Sequence, residues 1–114
     1  MKKRTAAVNP LPYEAGLALQ RLGANLKTAR LRRNETLEAI AHRIGVHRTT
    51  LSQVERGDPA VMAGTYAAAL WAYGLTDQIA EIAAPDRDAV GLTLDGSRAR
   101  SRARPGTGGM SSDF

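Results

Sequence analysis

The stretch "GVHRTTLSQVERG", residues 45–57, gathers the side chains best suited to chemistry. Written as a helix, Arg48, Thr49, Ser52 and Gln53 share one edge, with Thr50 and Arg56 flanking it. These are residue types that read base edges and hold phosphates. Arginine offers paired donors to guanine, glutamine pairs with adenine, and threonine brings both a hydroxyl and a methyl for thymine. The edge carries no acid until Glu55. A solvated amphipathic helix is the other reading of the same pattern.

Other chemistries find little support. The chain has no cysteine, which excludes disulfides and thiolate metal sites. Its two histidines, His42 and His47, stand off the i,i+4 register that would bring them to one helix face, so no metal site is expected. There is no nucleophile–base pair and no glycine-rich phosphate loop, so neither an enzyme nor a cofactor is expected. Tyr66, Trp71 and Tyr73 could be imagined as a ligand box, but aromatics at helical spacing fit core or dimer surface better.

A rigid rod is needed to present the polar edge. Leu51 and Val54 anchor a helix from about Arg48 to Arg56, which Gly57 closes. Before it, "LEAIAHRI" reads as a helix that Thr36 caps and that buries Leu37, Ile40, Ala41 and Ile44. Glu35 and Glu38 lie near its start, where the helix dipole favours negative charge. Gly45 ends it and Val46 plugs the corner. Two short helices about a tight turn make a helix-turn-helix geometry.

Upstream, Leu19, Leu22, Leu26 and Ala29 follow a 3-4-3 spacing, which predicts a helix from Tyr13 to about Arg33. Gly23 weakens it by roughly 1 kcal/mol relative to alanine. Asn34 can leave it in a left-handed conformation. Downstream, a fourth helix is expected from Thr65, burying Ala68, Ala69 and Leu70, with Trp71 or Tyr73 at its edge. Thr76 caps a fifth, which buries Ile79 and Ile82 and stops at Pro85. "AVGLTLDG" alternates Val90, Leu92 and Leu94, the pattern of a short strand. One strand alone is not stable, so it calls for a partner from a second chain.

The 114 residues fit one small domain with tails. The net charge of +5 is unevenly spread. Residues 21–56 hold eight basic and three acidic side chains, whereas residues 57–95 hold one basic and six acidic ones. A positive face suits a polyanion, although an ordinary charged surface would also read this way. No apolar run approaches the ~18 residues of a membrane span, and the basic head lacks an apolar segment behind it. A soluble cytoplasmic, nucleoid-associated protein with no membrane partner is expected.

Residues 22–75, about half of the chain, resemble the Cro/CI-type (XRE) helix-turn-helix family of phage-repressor-like DNA-binding domains. The resemblance is carried by "LGANLKTARLRRNETLEAIAHRIGVHRTTLSQVERGDP". It implies an all-α fold: a five-helix DNA-binding domain over residues 13–84, preceded by a flexible basic arm, 1–12. A short dimerisation strand, 85–96, and a disordered Arg-rich tail, 97–114, are expected to follow. By the same resemblance Arg48, Thr49 and Gln53 fall where a recognition helix meets bases, and Ser52 shares their edge. His47, Thr50 and Arg56 fall at backbone or flanking positions, and Lys27 and Arg43 complete the expected backbone set. Arg30 and Glu55 fall where the family often forms a structural ion pair. At His47 the family usually has Ser or Thr, which caps a helix better than imidazole does. The region from "GDPAVMAGTYAAALWAYGL" onward resembles HipB-like antitoxin regulators, which implies a HipA-like kinase toxin as partner.

The expected function is therefore a homodimeric, sequence-specific repressor on a palindromic operator in double-stranded DNA, serving as antitoxin and autoregulator of a toxin–antitoxin operon. The alternative is a protein-binding module that neutralises a toxin through residues 57–95, with DNA binding secondary.

Overall fold

The computed structural model describes residues 11–102, and among these the regular elements are all helical. The chain divides into two units, the first ending at Ile79 and the second beginning at Ala80.

In the first unit, α1 (Tyr13–Arg32) turns Leu26 and Ala29 into the core and packs Leu19 and Leu22 against it. Asn34, at φ 55°, takes the chain out in the left-handed conformation. Arg33 closes the helix: its Nη1 donates to the Ala29 carbonyl at 2.8 Å and its Nη2 to the Tyr73 carbonyl at 3.0 Å. The same guanidinium lies 5.6 Å from the Tyr73 ring centroid, a cation–π contact.

Then α2 (Leu37–Ile44) starts where Thr36 Oγ1 accepts from the Ala39 N–H at 3.0 Å. It ends at Gly45, whose φ of 75° suits glycine. Next come α3 (Arg48–Glu55), α4 (Ala63–Ala72) and α5 (Thr76–Glu81). The fourth helix begins ahead of Thr65. Met62 occupies the N-cap without a side-chain bond, and an alanine-rich run with strong helix propensity follows it.

Leu26, Ile40, Leu51 and Val54 are fully buried and form the centre of the core. Ala29, Ala41, Tyr66, Ala69, Leu70 and Tyr73 surround them. Tyr66 donates its hydroxyl to the Asp58 carbonyl at 2.8 Å and so ties down the loop before α4. Burial, reinforced by the charge of Glu55, pushes the Tyr73 phenol up to about 12. Ala68, expected in the core, is only half-buried, and the choice between Trp71 and Tyr73 for the edge of α4 is resolved. Trp71 lies outside the core, 60% exposed, while Tyr73 lies within it. Ile82 is not buried: α5 stops at Glu81, and Ile82 beyond it is exposed.

The second unit holds a short 3-10 turn, Pro85–Arg87, and α6 (Ala89–Arg102). The strand expected within 85–96 is therefore a helix, and so is the part of the expected disordered tail at 97–102. Alternation of Val90, Leu92 and Leu94 imitates a strand, but two local signals outweigh it. Asp88 caps the helix, its Oδ1 accepting from the Gly91 N–H at 2.9 Å, and Leu, Ala and Arg continue it. The basic arm at 1–10 and the tail at 103–114 lie outside the described residues.

Candidate nucleic-acid interface

Successive residues of a helix turn by about 100°, which fixes the two faces of α3. Leu51 and Val54 point into the core, and neither has measurable exposure. The opposite face then carries Thr49, Ser52, Gln53 and, at the C-cap, Arg56, with Arg48 at its margin in the first turn. Arg48, Thr49 and Arg56 are exposed, and Ser52 and Gln53 are half-buried. Thr50 is half-buried at one shoulder of the buried face, and His47 is exposed just before the helix. The imidazole of His47 makes no capping bond to α3.

Three fixtures hold α3. The turn Gly45–His47 joins it to α2, with the Val46 N–H donating to the Ala41 carbonyl at 2.9 Å. Packing against α1 and α2 supplies the second. The third is an ion pair between Arg30 and Glu55, whose side chains are only 8% and 7% exposed. Arg30 Nε donates to Glu55 Oε2 at 2.7 Å, and Nη2 donates to Oε1 at 3.1 Å. Nη1 donates to the Glu35 carbonyl at 2.9 Å. One guanidinium thus joins α1, the loop before α2, and the end of α3. Its hydrogen bonds to Glu55 raise its pKa above the ordinary value, against burial.

Glycines let the helices meet. A methyl group on Gly23 would stand 2.5 Å from the Val54 carbonyl oxygen, 2.8 Å from that of Glu55 and 2.7 Å from the Gly57 nitrogen. Gly57, at φ 72°, lies in turn against the backbone of Leu19 and Gln20. Sequence pattern presents Gly23 as a weak point of α1; in the fold it is the place where α1 and the end of α3 come within backbone contact.

The remaining cations are placed unequally. Lys27 is exposed on α1. Arg43 is also exposed, but its Nη2 meets Glu35 Oε2 at 3.2 Å. Arg56 donates through Nη1 to Ser52 Oγ at 2.9 Å, so those two residues of the polar edge are already joined to each other. The part played by Glu35 is not visible in the sequence pattern, where it reads only as a dipole-favoured acid.

A family model described as a helix-turn-helix domain matches residues 21–82, more than half of the chain. The chain belongs to the helix-turn-helix domain family, a DNA-binding class whose second helix enters the major groove. Comparison with curated proteins gave no match, and comparison with solved structures gave none either. Among the described residues, no helix is long and apolar enough to cross a membrane.

Proposed function

We propose that the protein is a sequence-specific transcriptional regulator of the Cro/CI type, a repressor that binds a palindromic operator as a homodimer in the cytoplasm. It acts by binding rather than by catalysis. One observation carries the reading: α3 is pinned by two fully buried side chains while Arg48 and Thr49 on its polar edge stay exposed. Arg48, Thr49 and Gln53 then meet base edges, with Ser52 beside them. His47, Thr50, Arg56, Lys27 and Arg43 meet the backbone. Two such helices in successive major grooves would stand roughly 34 Å apart. Selection from randomised duplexes should enrich a two-fold site with that spacing, and a pool showing no enriched sequence would refute specific binding.

Arg48→Ala should weaken binding to the selected site by ~1–3 kcal/mol and relax base preference at one position per half-site, with nonspecific binding changed far less. Equal losses on specific and random duplexes, read by fluorescence anisotropy, would make Arg48 a phosphate contact instead.

Glu35 neutralises Arg43 on the approach to DNA, in a pair whose partners are 30% and 44% exposed. An exposed pair of this kind is worth up to about 1 kcal/mol. Glu35→Gln should therefore tighten binding to any duplex by up to about fivefold and steepen the salt dependence by roughly one phosphate contact. Salt titrations identical to those of the unmodified protein would remove Arg43 from the backbone set.

A toxin partner is the second reading, favoured by the surplus of acid in residues 57–95. Within the region that resembles HipB-like regulators the expected strand is α6 instead, so the reading stays with the broader Cro/CI-type class. Co-purification of a basic companion protein in fixed ratio would support the toxin reading.

A further inference from the structure

The outward face of α4 is the strongest surface feature that DNA contact leaves unused. Residues 59–76 carry no charged side chain, in a chain that is 24% charged. The inward face of α4 is spent on Tyr66, Ala69 and Leu70. Helical geometry turns Gly64, Ala67, Ala68 and Trp71 to the other side. Gly64 is exposed, Trp71 is 60% exposed, and Met62 just ahead of the helix is 72% exposed.

We propose that this face is where two copies of the chain meet, an inference that rests on the dimeric reading above and gives it a location. Charge permits a second copy as the occupant. Each copy carries a surplus of base in residues 21–56 and a surplus of acid in residues 57–95, and this uncharged face can approach its own image without opposing like charges. Shape agrees. The large Trp71 and the side-chain-free Gly64 lie seven residues apart, two helical turns or about 10.5 Å. In an antiparallel two-fold crossing centred near Ala67 and Ala68, each Trp71 falls on Gly64 of the partner subunit. One surface thus supplies both knob and hole, as an isologous contact requires. Because α4 packs on α2, pairing through its far side leaves the polar edge of α3 open. A single helix face is smaller than the ~800 Å² per partner of a standard interface, so the association is weak and concentration-dependent.

Trp71 is the sole tryptophan, so its emission reports directly on this face. On dilution the emission of the unmodified full chain should move to longer wavelength, in step with sedimentation from dimer to monomer. Gly64→Glu places a charge where an added Cβ meets nothing within 4 Å, so the fold is kept, which its thermal midpoint checks. Gly64→Glu and Trp71→Arg should each weaken self-association at least tenfold. They should bind a single half-site duplex normally and lose about tenfold on the palindromic duplex. A chain monomeric at every concentration would overturn the proposal. Dimerisation unchanged in both variants, or emission constant while the mass changes, would do the same. If instead no duplex is bound by any form while the dimer behaves as described, the DNA reading falls and the interface stands.

Discussion

Glu55→Ala is expected to destabilise the helix-turn-helix unit by about 3 kcal/mol, with most of the loss coming from the cation left behind. Arg30 is 8% exposed at its side chain and cannot shed its proton. Without Glu55 its Nε and Nη2 lose their acceptors, and only the bond from Nη1 to the Glu35 carbonyl survives. For a unit of this size the thermal midpoint should fall by roughly 12–24 °C. The double variant Arg30→Met with Glu55→Leu separates the two causes. Removing both charges and filling the space with apolar atoms should recover most of the loss, because a buried pair contributes little net stability over such a replacement. Midpoints from circular dichroism on the three proteins provide the comparison. A single variant within 1 kcal/mol of the unmodified protein would show that the pair does not secure α3.

What could be read from the sequence was local. The 3-4-3 spacing of Leu19, Leu22, Leu26 and Ala29 locates α1, because one helix face must be buried. Thr36 and Gly45 bound α2 because an N-cap hydroxyl and a left-handed glycine are properties of single residues. The fully buried Leu51 and Val54 follow from the same periodicity, and the polar edge of α3 follows from them. Features that depend on distant residues were less legible. Arg30 and Glu55 stand 25 residues apart, and their pairing was implied by family resemblance rather than by spacing. Glu35 sits near a helix start, where a dipole argument suffices to explain it, and nothing local points to Arg43. At α6 a period of two in three apolar residues reads as a strand, whereas the cap at Asp88 and the residues that follow make a helix. A period of two is decisive only where a sheet exists to receive the strand, and among the described residues none does.

Gly23 offers the sharpest test of that distinction, because propensity and packing predict opposite signs. On an open helix surface, glycine to alanine stabilises by up to about 1 kcal/mol. Gly16 provides that case within the same helix, since a Cβ there would meet nothing within 4 Å. Gly16→Ala should therefore raise the midpoint. At Gly23 the added methyl would press on three backbone atoms, those of Val54, Glu55 and Gly57, and none can swing aside as a side-chain tip could. Overpacking of this kind costs about 1–3 kcal/mol or more, so Gly23→Ala should come out about 2 kcal/mol destabilising after the propensity gain. The chain can relieve the clash only by moving the end of α3 away from α1. That movement would strain the Arg30–Glu55 pair and rotate the polar edge relative to α2. Affinity for the selected duplex should then fall further than the population of folded protein explains, and binding measured well below the midpoint isolates that part. If Gly23→Ala stabilised the protein as Gly16→Ala does, the close seating of α1 on α3 would be wrong, and with it the claim that a rigid scaffold aims Arg48 and Gln53.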